Sequence, residues 1–528
     1  MRTKTVMDAI SLSIFANRID SICSEMGATL QKAAFSPNIR DRLDYSCAIF
    51  DAGGELCAQA AHIPVHLGSM AFAMSDVVST IQWSAGDMVV LNDPYKGGTH
   101  LPDVTLIAPF FIEGELLGFV ANRAHHADIG SETPGSMPLS SSVLEEGQLI
   151  EPTLLVKADE IQQGIFSRLM SNMRNEQESS GDFIAQIAAN RRGLRRLAML
   201  LEKMGVESYL GGLQQLNDYA AILARSSLAD IKAGEYCFED VLDDDGQSQN
   251  DILIKVKLVF DGESITVDFT GSAQQVAGNI NCPLSVTAAA VYYVFRCLMP
   301  AQAPACAGSF RNISIQAPAN TVINASYPAA VAAGNVETST RIVDVILGAL
   351  LKALPGKIPA ASHGSMNNLA MGSVGDQDHA AWDYYETIGG GMGASSISDG
   401  LDAVQTHMTN TLNTPIESLE MKYPIRVNRY QIRTGSAGHG DFKGGEGLIR
   451  EFTFLSPAQV TILSERRTRQ PWGVSVSKRQ ACQRCDEASA QTGENQLNYK
   501  PLAAKQTFVV SSGDVVTLKT PGGGGCYT

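Results

Sequence analysis

His100-Leu-Pro-Asp103 sets an imidazole and a carboxylate three positions apart, and His125-His126-Ala-Asp128 repeats that spacing a little further along the chain. Nitrogen and carboxylate donors in this combination suit borderline divalent metals. Each copy lies just beyond a stretch that reads as a strand, Asp87 to Asn92 before the first and Leu116 to Asn122 before the second. One such pair alone would more often cap a turn. Two copies at the ends of two strands point to a metal centre. Two imidazoles with carboxylates favour zinc, manganese or iron over calcium or magnesium, which prefer all-oxygen shells.

The surrounding elements have to hold those ends in place. Ile10, Ile14, Ile22, Met26 and Leu30 recur at helical spacing, and the pattern stops near Ser36-Pro37. Tyr45 to Phe50 and Glu55 to Gln59 flank Ala-Gly-Gly and read as a hairpin. His62-Ile-Pro-Val-His66 has helical spacing, but Pro64 makes it read as an extended segment with both imidazoles on one face. A helix is expected from His66 to Trp83. In the loop from Asn92 to His100, Gly97 and Gly98 would let backbone approach a ligand.

Residues 165–231 are mostly helical in pattern, and 234–271 alternate as strands with turns at Asp244-Asp-Gly and Asp261-Gly. The acidic run Glu239 to Asp245 reads as a solvated hairpin edge. Helices follow at Thr287 to Leu298 and Glu337 to Leu354. Gly389 to Gly393, Gly444 to Gly447 and Gly522 to Gly525 each read as tight turns. The expectation is an α/β (mixed α+β), multi-layered body with mixed sheets. An N-terminal lobe, 1–232, should carry the metal, and a glycine-rich α/β lobe, 233–528, should complete it.

With 528 residues, 44% of them hydrophobic and 18% charged, the chain can bury a large core. A formal net charge of -15 argues against nucleic acid, whose phosphates need clustered cations. The basic run Arg191-Arg192-Gly-Leu-Arg195-Arg196 falls in a helical pattern and reads as a solvated or interface face. The most apolar stretch, Val286 to Met299, is too short to span a membrane and contains Arg296. Asp8 stands where a secretory apolar region would begin, and the ten cysteines show no disulfide framework, so a reducing cytoplasm is expected. The lone pair Cys482-Gln-Arg-Cys485 reads as a surface loop. Gly356-Lys357 runs on into isoleucine and proline, so there is no phosphate loop; a nucleophile elbow and a zinc-protease helix are absent too. This sequence carries no obvious ATP site.

Leu91 to Thr105, Ala124 to Gly130 with Pro134-Gly-Ser-Met-Pro138, and Asp268-Phe-Thr-Gly-Ser272 resemble the hydantoinase B/5-oxoprolinase family. So do Arg42-Leu-Asp-Tyr-Ser46, Ile63 to Gly68, Gly181 to Asn190 and the closing Thr520-Pro-Gly-Gly-Gly-Gly. The resemblance runs from about residue 8 to the C-terminus. It implies kinship with N-methylhydantoinase B-type subunits, 5-oxoprolinases, lactamases of the same build and the metal-bearing subunit of acetone carboxylases. It further implies a division of labour. A hydantoinase-A-type ATPase partner would bind ATP and magnesium and phosphorylate the substrate carbonyl oxygen. The chain with this sequence would hold the metal and finish opening a hydantoin, 5-oxoproline or related lactam ring, in a hetero-oligomer such as A2B2. The chemistry is coherent: resonance makes a cyclic amide a poor electrophile, and O-phosphorylation both activates it and supplies a leaving group. A bound divalent metal would bring water's pKa towards neutrality.

The family pattern carries over to His100, Asp103 and His125, the first rather than the second of its histidine pair. It also carries over to Asp44, as a further ligand or as the group handling the water's proton. Asp128 and His66 are the next candidates, and Asp93 and Lys96 would face substrate or phosphate. Gly130 is followed by Ser131-Glu132 where a glycine is usual, which touches only local loop shape. The alternatives are a subunit of an ATP-dependent ketone carboxylase and a non-catalytic structural partner of the ATPase.

Overall fold

The structure, a computed structural model, describes residues 7–375, 381–476 and 487–528. Its first sheet is wholly antiparallel. It comprises β1 (Tyr45–Asp51), β2 (Leu56–Ala61), β3 (Met88–Leu91), β4 (Asp103–Ile112), β5 (Glu115–His125), β6 (Thr153–Lys157) and β7 (Glu160–Ile161). The spatial order is β2-β1-β5-β4-β3-β6-β7, which puts β4 and β5 at the centre. Helix α1 (Ala9–Ala33) starts at Asp8, whose carboxylate accepts from the Ser11 N–H at 2.7 Å, a normal N-cap. The short α2 (Pro37–Arg40) then turns the chain into β1, and α3 (Val65–Thr80) follows β2. Three helices come after the sheet: α4 (Gln163–Met170), α5 (Glu176–Met204) and α6 (Val206–Ser227).

Strand alternation sorts the sheet's two faces. Val104, Leu106 and Ala108 pack with Phe15, Ile19 and Met26 of α1 and Phe183 and Ile187 of α5, while Ile107 turns to Met70, Met74 and Val77 of α3. Both faces are covered, so β4 and β5 read as nearly unbroken apolar runs.

The second sheet, β8 (Gly234–Asp244), β9 (Asn250–Phe260), β10 (Ile265–Asp268) and β11 (Ile313–Gln316), is mixed: β10 and β11 are parallel, the other pairs antiparallel. It shares a core with α7 (Leu284–Leu298) and α8 (Ser339–Ala353). A π-helical turn, Gly334–Thr338, precedes α8, the kind of irregularity that recurs at functional sites. The chain beyond builds one four-stranded and one five-stranded antiparallel sheet around a third core that includes Leu369, Phe452 and Val516. The architecture is thus the expected α/β body with interleaved helices and sheets.

Three local expectations are corrected. His62 to His66 is not extended: Pro64 takes φ -60°, ψ -32°, helical values that suit proline at a helix start, and His66 sits in the first turn of α3. The glycine clusters are not turns. A side-chain carbon on Gly391 would fall 1.9 Å from Gly445 O, and one on Gly445 2.8 Å from Met392 N, so these segments pack backbone on backbone. The acidic run does lie on an edge hairpin with Glu239 exposed, but it is only partly solvated. Asp240 pairs with Arg341 and Arg466, and Asp243 accepts from the Thr468 N–H at 3.0 Å, partners too remote in sequence to foresee.

The basic face of α5 is partly tied down, with Arg192 and Arg196 each 2.8 Å from Glu25 of α1. Among the described residues no helix is long and apolar enough to cross a membrane. The described cysteines are free thiols; Cys482 and Cys485 lie outside the described residues.

Candidate metal centre

Asp103 is the first residue of β4 and His125 the last of β5, and the ladder sets them directly opposite one another. Opposed residues project to the same face, so both side chains meet at the sheet's end. His100 precedes β4 in a turn closed by the Asp103 N–H donating to His100 O at 3.1 Å. That turn brings His100 Nε2 to 3.4 Å from Asp103 Oδ2. From α3, His66 places Nε2 3.6 Å from Asp103 Oδ1 while its Nδ1 is hydrogen-bonded to Ser46 Oγ at 3.0 Å. The rings of His100 and His125 meet edge to face, centroids 5.1 Å apart. His125 also stacks on Tyr385 at 4.9 Å, and its Nδ1 is hydrogen-bonded to the Asn38 carboxamide at 3.2 Å.

Asp44 joins them from the turn before β1. Leu43 adopts a left-handed φ of 59°, unusual for a branched residue, as the chain swings Asp44 inward. Asp44 lines a small cavity with His66, Asp103, His125 and Asn335, closed by Tyr385 and a wall of Thr387, Thr409 and Thr411. It offers about 20 Å³ to water centres, enough for a single water. The Arg42 guanidinium lies 4.0 Å from Asp44 and donates to Tyr385 O at 2.8 Å.

Buried polar atoms are nearly always partnered. Here His100 Nε2, Asp103 Oδ1 and His125 Nε2 have no hydrogen bond, though all three residues are buried. Donors sharing one ion at 2.0–2.2 Å stand roughly 3.3 Å apart in a tetrahedral shell. The 3.4 and 3.6 Å separations fit that spacing. Among the described residues no three His, Cys, Asp or Glu side chains are arranged, as they stand, so that they could hold a metal ion. The donor chemistry and the orphaned atoms nonetheless suit a divalent ion.

The protonation pattern is divided. Burial alone would raise Asp103, but His100 and His66 hold it well below the ordinary carboxylate range. His100 is pushed down by burial and more than restored by Asp103, so it ends raised. Burial and neighbouring His100 keep His125 well below the usual histidine range, hence neutral. Burial, with Asp103 nearby, raises Asp44 despite Arg42.

The second motif copy divides. His126 follows His125 and so points to the opposite face, where it stacks on Phe183 at 4.6 Å and bonds Gln186 Oε1 at 2.9 Å. Asp128 accepts from the Gly130 N–H at 2.8 Å and the Arg174 N–H at 2.5 Å, fixing its loop rather than lining the cavity. Asp93 caps the turn Pro94–Lys96, accepting from the Tyr95 N–H at 2.9 Å, and burial raises its pKa. Lys96 pairs with Glu151 at the surface. Neither lines the cavity. Gly98 serves its own loop, with Asn92 O only 2.4 Å from where a side chain would begin. Asn335 enters unannounced from the π-helical turn, donating to Asp103 Oδ2 at 3.3 Å. Its distance along the chain leaves no signal to find it by, whereas Arg42 stands inside the motif Arg-Leu-Asp-Tyr-Ser.

A family model described as hydantoinase B/oxoprolinase matches residues 8–527. 5-Oxoprolinase 1 of Arabidopsis thaliana is 37% identical over 99% of this chain but only 42% of its own length, so the chain spans about two fifths of that relative. The B component of a putative D-/L-hydantoinase of Pseudomonas sp. (strain NS671) is 31% identical, over 88% of this chain and 81% of its own. Among solved structures, the ATP-dependent caprolactamase from Pseudomonas jessenii superposes with a TM-score of 0.90 at 26% identity, covering 99% of this chain and 91% of that one.

Proposed function

The chain belongs to the hydantoinase B/oxoprolinase family, and from that premise we propose that it is the metal-bearing subunit of an ATP-dependent cyclic amide hydrolase. It opens a hydantoin, 5-oxoproline or related lactam ring in a hetero-oligomer, such as A2B2, with a hydantoinase-A-type ATPase subunit. The observation that carries this reading is the β4/β5 register, which sets Asp103 against His125 beside buried, unpartnered donor atoms and a water-sized cavity. Relatives named for 5-oxoproline, hydantoin and caprolactam support the substrate class, since all three are cyclic amides.

In this reading His100, Asp103 and His125 would hold zinc, manganese or iron, and Asp44 would be free for a second task. When bound, the ion polarises the reacting group and brings water's pKa towards neutrality. Asp44 does the proton work: burial raises its pKa and it lines the cavity, so it takes the attacking water's proton as the ring opens. Asn335 and His66 hold Asp103 in place. Asp128 shapes the loop behind His125 through Arg174 and Gly130. Lys96 lies at the surface with Asp93 buried beneath it, 3.9 Å away, and Lys96 meets the partner or its phosphorylated product rather than the cavity. ATP and magnesium stay on the partner, which activates the amide oxygen.

The cavity beside the donors favours this over a purely structural ion, whose shell would be closed. The test is reconstitution. The purified chain alone should neither hydrolyse ATP nor open a ring. Mixed with a hydantoinase-A-type chain it should open a hydantoin, 5-oxoproline or a lactam with ATP consumed. Tight ATP binding by the isolated chain, or ATP-driven carboxylation of a ketone with no ring opening, would overturn the reading.

A further inference from the structure

Glu146 is not bonded to any of the donors just described, yet its side chain is wholly buried and two of its three bonds lead towards them. Oε1 accepts from Ser140 Oγ at 2.8 Å, from the Val331 N–H at 2.7 Å and from the Ala332 N–H at 2.9 Å. The carbonyl of that same Ala332 is the acceptor facing His100 Nδ1 at 3.2 Å. Two residues on begins the π-helical turn that carries Asn335 against Asp103. One carboxylate therefore clamps the short segment that touches two members of the centre from the far side of the sequence.

The consequence is chemical. A backbone carbonyl can only accept, so the hydrogen bond at Nδ1 holds a proton on that nitrogen and turns Nε2 towards Asp103. At His125 the constraint runs the other way: its Nδ1 faces Asn38 Nδ2, a donor, because Asn38 Oδ1 accepts from Arg42 Nη1 at 3.3 Å. We propose that Glu146 is a positioning residue: by fixing Val331 and Ala332 it sets the tautomer and orientation of His100 and the seat of Asn335. The inference deepens the metal-centre reading but does not depend on it, since the tautomer exists whether or not an ion is bound.

The test uses the full chain with nitrogen-15-labelled histidine. In the metal-free wild type, at a pH above the raised pKa of His100, its ring-nitrogen shifts, assigned with His100→Asn, should report a single Nδ1-protonated tautomer. Glu146→Met keeps the side chain's length but removes Oε1, the oxygen that accepts all three bonds, and so frees the Val331 and Ala332 N–H groups. It should give mixed His100 tautomers and weaken zinc binding, measured by chelator competition, by about 10–100-fold. Glu146→Gln, which keeps an oxygen acceptor, should recover part of the loss, and Ser140→Ala, which removes one donor of three, should lose less than Glu146→Met.

A residue with only a structural role would lower the melting temperature of the metal-free chain and leave the His100 tautomer unchanged, and that outcome overturns the proposal. If His100→Asn itself leaves zinc affinity intact while the tautomer shift appears in Glu146→Met, the metal assignment fails and the positioning role stands.

Discussion

Two buried clusters of charge sit in this molecule, and they are built on opposite plans. In the first, between β8, α8 and the C-terminal chain, carboxylates are matched by cations. Asp240 lies 3.1 Å from Arg341 and 2.8 Å from Arg466, Asp344 2.6 Å from Arg466, and Glu465 3.3 Å from Arg341 and 2.6 Å from Lys505. In the second, at the end of β4 and β5, two carboxylates face three imidazoles, and the nearest permanent cation, Arg42, stays 4.0 Å from Asp44. Burying a charge is costly unless it is paired. The matched cluster meets that cost internally and holds two parts of the chain together. The unmatched cluster sets its carboxylates against imidazoles rather than permanent cations, which makes sense where something else is to be bound.

The sharpest way to break this contrast is to remove donors from the unmatched cluster. His100→Ala and His125→Ala should each strip the divalent ion and lower reconstituted turnover by about a thousandfold, on the order of 4 kcal/mol of transition-state stabilisation. Metal analysis alongside turnover decides it, and stoichiometric metal in both variants would place the ion elsewhere. The fold should survive at some cost. His100 is buried and bonded to Ala332 O, so its loss leaves a carbonyl unpaired, worth about 1–3 kcal/mol.

Both clusters also mark where sequence reading stops. The strands that end in Asp103 and His125 are legible because their apolar runs are local. The choice of His125 over His126 then follows from strand alternation, once the register is known. Asn335, Tyr385 and the threonine wall are not legible, because nothing local ties residues 335–411 to residues 100–125. The acidic run of β8 fails for the same reason: its Arg341 and Arg466 partners lie about a hundred and two hundred residues away. The glycine clusters mislead because backbone packing and tight turns demand the same residue. Periodicity reports on which face is apolar, not on which distant segment covers it.

The matched cluster should fail differently. Arg466→Met removes the shared partner of Asp240 and Asp344 and leaves both carboxylates under-compensated in a buried setting. Such one-sided losses cost about 3–5 kcal/mol. Denaturant unfolding should show that drop, while metal content per folded chain stays at the wild-type value. Metal loss without destabilisation would mean the two clusters are coupled and the contrast is wrong.

Within the matched cluster Glu337 is the odd member. Burial, with Glu465 nearby, pushes its carboxyl up to about 7, and it accepts from the Met366 N–H at 2.9 Å and Asn368 Nδ2 at 2.7 Å. A raised carboxyl means the folded chain holds a proton that the unfolded chain releases above its ordinary pKa. Its contribution is therefore fully present below about 4.5 and is lost as pH rises to about 7. Glu337→Gln, permanently neutral, should flatten that part of the stability profile by on the order of 1–3 kcal/mol. An unchanged slope between those limits would show that Glu337 ionises freely where it sits.

The smallest expected effect belongs to Lys96, which shares a motif with His100 but neither cluster's burial. Its side chain is 48% exposed, its partner Glu151 is more exposed still, and Asp93 stands 3.9 Å away. Exposed pairs contribute about 0–1 kcal/mol because water and salt already satisfy both ions. Lys96→Ala should therefore leave unfolding free energy within about 0.5 kcal/mol of wild type and metal content untouched. Whatever Lys96 does must then appear only when the ATPase-type partner is present, as a raised KM at constant metal content. Should Lys96→Ala instead lose metal in the isolated chain, the unmatched cluster would extend to the surface loop, and its boundary at the buried end of β4 and β5 would have to be redrawn.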